Sequence, residues 1–145
     1  NLPYVNERWL GGTLTNFATI KKRIEYFKDL ENKKEKGELE KYTKKEKGKI
    51  DKALKDFEVK FGGIKNLEEL PDAVFVLDMR KDNLAIREAR RKKIPVIGVA
   101  DTNINPEMAD YLIPANDDAI SSVKYILEKV AEVTKSAKLK EKSEK

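Results

Sequence analysis

Between Phe17 and Phe61 apolar residues return every three or four positions, and beyond Leu70 they come instead in short unbroken runs. That change of period constrains the fold more than any other feature, because a stripe at helical spacing belongs on a helix and a short β-branched run belongs in a strand. The first stripe is Phe17, Ile20, Ile24, Phe27 and Leu30, with Gly37 ending its helix. Thr43-Lys44-Lys45-Glu46 then has the form of a capping box, in which the threonine hydroxyl and the glutamate carboxylate satisfy orphan amides at a new N-terminus. A second stripe follows at Ile50, Leu54, Phe57 and Phe61, closed by Gly62-Gly63. Both stripes are narrow. The expected unit is an antiparallel helical hairpin, buried along one seam, wet on its outer faces and projecting as an arm.

The runs beyond Leu70 predict a different layer. Asp72 to Asp78 and Pro95 to Asp101 read as strands buried on both faces, joined by a helix marked by Leu84, Ile86 and Ala89 that ends in Arg90-Arg91-Lys92-Lys93. Residues 72 to 101 thus form a βαβ unit with parallel strands. Tyr111 to Pro114 is a third, shorter strand, and Asn116-Asp117-Asp118 caps a last helix carrying Ile120, Val123, Leu127, Val130 and Val133 on one face. Tyr4-Val5 is at most a stub of strand. The expected class is α/β, a parallel sheet of three or four strands in residues 1–16 and 62–134, interrupted by the arm at 17–61 and followed by a disordered basic tail at 135–145. A parallel sheet needs both faces covered, only two helices are there to do it, and the chain opens at Asn1 rather than methionine. Part of the sheet is therefore expected to lie in a longer parent.

Two absences narrow the chemistry. There is no cysteine, which removes disulfide scaffolds and Cys-ligated zinc, and no histidine, which removes Ser/His/Asp triads, Cys/His dyads and His-ligated metals. No metal or cofactor is expected. No run of 18 apolar residues and no opening signal peptide is present, so a soluble, cytoplasmic chain is expected. The formal net charge of +5 is unevenly spread: residues 17–61 hold 15 basic and 10 acidic groups, residues 62–134 hold 10 and 13, and residues 135–145 hold 5 and 2. A cationic helical element beside a mildly acidic body favours contact with nucleic acid over a merely solvated face.

Two stretches invite a site. Arg8-Trp9-Leu10-Gly11-Gly12-Thr13-Leu14-Thr15 runs into the first helix, and glycines before a helix suggest a phosphate loop, since bare backbone amides at a helix N-terminus attract anions. Neither G-x-x-x-x-G-K-[ST] nor G-x-G-x-x-G is present. The favoured reading is a structural joint: Gly11 and Gly12 turn the chain from the sheet into the arm, Thr13 or Thr15 caps the helix, and Trp9 packs beneath. Asp78 and Asp101 stand at the C-terminal ends of adjacent strands, where open α/β sheets place ligands, and make the best catalytic pair available. They suit loop starts equally well, and no nucleophile stands beside them in a recognisable pattern.

The order of these motifs, Tyr4-Val-Asn-Glu-Arg-Trp-Leu-Gly-Gly-Thr-Leu-Thr-Asn-Phe17, a charged hairpin, Phe61-Gly-Gly-Ile-Lys65, Leu70-Pro-Asp-Ala-Val-Phe-Val-Leu-Asp78, Ile94-Pro-Val-Ile-Gly-Val-Ala-Asp-Thr-Asn103 and Ile113-Pro-Ala-Asn-Asp-Asp-Ala-Ile120, closely resembles the bacterial form of the small-subunit ribosomal protein S-two family. The resemblance runs from about residue 3 to 134. It implies a flavodoxin-like parallel sheet with an inserted coiled-coil arm, no enzymatic activity, binding to small-subunit ribosomal RNA, and contact with neighbouring ribosomal proteins, including the large first-numbered one. The family's opening portion, with an early His-Phe-Gly-His stretch and the first strands, has no counterpart here, so the sheet is expected to be incomplete at its N-terminal side. Within this frame Arg8, Lys21, Lys22, Arg23, Lys44 and Lys45, at the root and turn of the arm, are the expected RNA-facing cations, reading phosphate rather than base edges. Two rivals stand beside it: an α/β nucleotide- or sugar-phosphate-binding enzyme fragment using Asp78 and Asp101, and an arm that docks protein instead of RNA.

Overall fold

The computed structural model describes residues 2–143. Two helices come first and the strands follow Leu70, as the change of period requires: α1 (Phe17–Glu35), α2 (Lys44–Phe61), β1 (Val74–Val76), α3 (Asn83–Arg91), β2 (Val96–Ala100), β3 (Tyr111–Pro114) and α4 (Ile120–Ser143), with short 3₁₀ turns at Glu38–Lys41, Gly62–Ile64 and Pro106–Met108. Tyr4-Val5 is not a strand. The tail differs from expectation, since α4 carries the residues from 135 to Ser143 as helix, while residues 144 and 145 lie outside the described residues.

The three strands form one parallel sheet in the order β1-β2-β3, in a register that sets Val74 against Val96 and Ile97 against Tyr111. α3 packs on β1 and β2, and its apolar face together with the strands makes one core of Leu14, Val76, Met79, Ile86, Ala89, Ile94, Val96 and Ala100. Its inward face is Ala85, Ile86, Glu88 and Ala89; Leu84, expected inside, is exposed. α4 departs further. Ile120, Leu127 and Val133 lie in solvent, and Ile126 alone is buried among the α4 residues whose side chains are described, because the helix makes little contact with the strands.

α1 and α2 build a second core of Ile20, Ile24, Phe27, Leu30, Leu54, Phe61 and Ile64. Their contacts run in opposite directions along the two helices: Phe27 and Tyr26 meet Phe57 at 5.8 and 5.9 Å between ring centroids, while Lys34 pairs with Asp51. Burial of a Phe or Leu side chain is worth about 1.5–3 kcal/mol each, so this seam is the pair's main source of stability. It occupies only the root. Among residues 31 to 53 none is buried, which leaves the far half of the pair as a solvated tip.

Gly62 and Gly63 do not end α2 as a left-handed cap would. Gly62 stays helical at φ −52°, and the chain tightens into the 3₁₀ turn. Gly63 is needed for a different reason: a Cβ there would collide with the carbonyl oxygen of Tyr4, whose amide donates to the Gly63 carbonyl at 3.0 Å. Entry and exit of the helix pair are thereby held together.

Candidate nucleic-acid interface

The glycine joint does hold an anion, and the anion is the protein's own. Glu88, on the inward face of α3, is 4% exposed, and its two carboxylate oxygens collect five donors of the loop. Oε1 accepts from the Gly12 amide at 2.7 Å and from the Trp9 indole at 3.4 Å; Oε2 accepts from the amides of Leu14 at 2.9 Å and Thr15 at 3.0 Å and from the Thr15 hydroxyl at 3.1 Å. Gly12 is at φ 93°, a left-handed conformation that turns its amide inward and that a side chain would strain. Burial pushes the Glu88 carboxyl up, but the hydrogen bonds from Thr15, Gly12 and Leu14 outweigh it and hold the group below the usual glutamate range.

This corrects one expectation and deepens another. Neither Thr13 nor Thr15 caps α1: the Thr13 hydroxyl donates to the Leu10 carbonyl at 2.6 Å, Thr15 is engaged with Glu88, and the residue before the helix is Asn16, which makes no side-chain cap bond to the backbone. Trp9 is packed against the sheet core and is also a donor. Gly11 lies on the joint with its Cα side toward Leu84. Glu88 was absent from the sequence reading. The signal was there, a lone carboxylate three positions after Ala85 and beside Ala89 on the apolar stripe of a helix, where a charge needs a partner.

The expected RNA-facing cations fall into two groups that the fold keeps apart. Lys21, Lys22 and Arg23 lie exposed in the second turn of α1, close to the joint; Lys44 and Lys45 lie exposed in the first turn of α2, at the other end of the pair, roughly 20 Å away at 1.5 Å per helical residue. Lys21 is partly committed, its ammonium donating to the Glu68 carbonyl at 3.1 Å. Arg8 is exposed on a cleft of about 390 Å³ between the joint and the start of α3, which Trp9, Lys81 and Leu84 also line.

Both helices carry cations that take part in none of the ion pairs found among the described residues, Lys21, Lys22, Arg23 and Lys28 on α1 among them. On α1, Lys33 pairs with Asp29 and Lys34 reaches Asp51 across the seam, both at 2.6 Å, and Glu31 pairs with Lys65. On α2, Lys44, Lys45, Lys47, Lys49, Lys52, Lys55 and Lys60 take part in none of the ion pairs found among the described residues. Lys45 and Lys49, and Lys49 and Lys52, stand at like-charge helical spacings that cost a few tenths of a kcal/mol each. Three of these lysines also crowd the first turn, where the helix dipole disfavours cations.

The C-terminal rim of the sheet is of opposite sign. Asp78 Oδ1 accepts from the amides of Arg80 and Lys81 at 3.1 and 2.8 Å, and its Oδ2 pairs with Lys81; Asp101 accepts from the Thr102 amide at 2.6 Å. Both carboxylates start loops. Burial pushes Asp78 up but Lys81 and the two amides hold it below the usual range, whereas burial and then the charges of Asp78, Asp118 and Asp101 push Asp117 up. Asp78, Asp101, Asp117 and Asp118 give this rim a negative bias that Lys81 offsets in part. Among the described residues no group of three acidic side chains is arranged to hold a metal ion, and no helix is long and apolar enough to cross a membrane.

Comparison with known proteins places the chain among ribosomal proteins. Residues 1–137 match the family described as ribosomal protein S2. Over 129 residues the chain is 45% identical to the small ribosomal subunit protein uS2 of Roseiflexus sp. (strain RS-1), covering 89% of this chain and 49% of that relative. The chain thus spans about half the length of the curated relative it matches.

Proposed function

The chain belongs to the ribosomal protein S2 family, and from that premise we propose that it is a non-catalytic structural constituent of the small ribosomal subunit, acting in the cytoplasm by binding ribosomal RNA and docking neighbouring ribosomal proteins, the large first-numbered one among them. The single observation that carries the RNA contact is the row of α2 lysines without acidic partners beside a sheet with a carboxylate rim. In this reading the sheet of residues 1–16 and 62–134 is of flavodoxin-like type, and residues 17–61 are a coiled-coil arm inserted into it. Arg8, Lys22, Arg23, Lys44 and Lys45 take phosphates, with Lys21 divided between RNA and the Glu68 carbonyl. Trp9, Gly11, Gly12, Thr13 and Thr15 form the joint that sets the direction of the arm. No cofactor enters.

Contacts to phosphate rather than to base edges make affinity steeply salt-dependent. Binding of small-subunit rRNA fragments is therefore measured against salt concentration for the native chain and for the double reversal Lys44→Glu, Lys45→Glu. The slope of log affinity against log salt should flatten by about 0.7–0.9 for each phosphate contact removed. Capture of a ribosomal protein lost while RNA affinity stays unchanged would transfer the arm to protein docking. Stabilisation by a mononucleotide, with no RNA binding at low salt, would restore the enzyme-fragment reading.

A further inference from the structure

Glu88 presents an unusual balance of charge. A carboxylate buried to this degree is ordinarily matched by a cation, yet among the described residues it forms no ion pair, and its charge is met by three backbone amides, a hydroxyl and an indole. All five donors lie between Trp9 and Thr15, in the seven residues that follow Arg8, while Glu88 itself belongs to the sheet body through α3. The loop is thus an anion nest of the kind that elsewhere receives phosphate, filled from within.

We infer that Glu88 is a positioning residue for RNA binding: its carboxylate fixes the Trp9–Thr15 nest to α3, and so sets where Arg8 stands at the root of the arm. The inference rests on the RNA-binding reading above. Arg8 directly precedes the indole that Glu88 holds, and it lines the same cleft as Lys81, which stands two residues before α3 begins at Asn83. One buried carboxylate therefore fixes the loop that bears Arg8, while Lys81 on the same cleft is held by Asp78. Without it the loop amides would have no partner, and the loop, with the conformational freedom of two adjacent glycines, would present Arg8 in many orientations.

The test has two arms. The first uses no RNA: Trp9 is the only tryptophan in the chain, so its emission reports the joint. Glu88→Ala should shift that emission, and added acetate should restore it by occupying the emptied nest, whereas acetamide or the same concentration of chloride should not. Restoration by acetamide as well as by acetate, or an emission that Glu88→Ala leaves unmoved, would show that no anion is required and would overturn the inference. The second arm compares rRNA-fragment affinity for the native chain, Glu88→Gln, Arg8→Ala and the double variant, Glu88→Gln keeping the side-chain shape should Glu88→Ala not fold. Each single change should cost about tenfold, the worth of one charge-assisted contact, and the double should be no weaker than Arg8→Ala alone. Losses that multiply would overturn positioning and leave RNA binding standing. Absence of RNA binding by the native chain would instead remove the functional reading and Arg8's part with it, while the emission measurement still decides whether the nest is held by charge.

Discussion

α1 and α2 begin in opposite ways. α2 starts on Thr43, whose hydroxyl accepts from the Glu46 amide at 3.4 Å while the Glu46 carboxylate accepts from the Thr43 amide at 2.9 Å, a closed exchange within four exposed residues. α1 starts from a loop held by a carboxylate that lies 73 residues further along the chain than Thr15. A helix capped by its own neighbours keeps its start wherever the rest of the chain goes. One anchored by a distant group is a helix only in a fixed relation to the body. The start of α2 is therefore satisfied locally, and the start of α1 is not.

The contrast breaks most completely at Glu88. Glu88→Ala leaves three loop amides without a partner in a buried site, at about 1–3 kcal/mol each, so chemical denaturation should register a loss of about 3 kcal/mol or more. A loss below about 1 kcal/mol would mean that water or rearrangement serves the loop as well, and the two starts would then not differ in kind. Acid tests the same point by titration. Glu88 is held below the glutamate range in the folded chain, so its contribution is complete above the unfolded value of about 4.3 and drains away as pH falls through the lower folded value. The denaturation midpoint of the native chain should drop across that acidic window, and Glu88→Gln should remove that part of the drop.

Smaller changes sharpen the comparison. Gly12→Ala places a side chain at φ 93° and brings a Cβ to 3.3 Å from that of Asn16, which should cost about 1–2 kcal/mol and shift Trp9 emission. Thr43→Ala should cost about 1 kcal/mol and leave Trp9 emission unchanged, since the capping box has no connection to the joint. A change of emission in Thr43→Ala would show that tip and root are coupled after all.

The same contrast governs what the sequence disclosed. The capping box was legible because its donor and acceptor sit three residues apart, and the helix pair was legible because Ile20, Ile24, Phe27 and Leu30 bury one stripe at one spacing. β1, β2 and β3 fall inside the three apolar runs assigned to strands. The start of α1 was misassigned to Thr13 or Thr15 because the partner that claims Thr15 is remote in sequence, and no local pattern reports an acceptor on another helix. The apolar face of α4 misled for a related reason. Helical spacing says which residues share a face, but the neighbouring edge strand decides whether that face is covered, and Ile126 is the position that faces inward. Among the candidate cations, spacing found the clusters at 21–23 and 44–45 and missed that Lys21 is tied to the Glu68 carbonyl.

The clasp between Tyr4 and Gly63 has a consequence for engineering. The chain comes back, after both helices, to the spot it left, so helical turns could be added or trimmed in matched steps on the outgoing and returning strokes without moving that point.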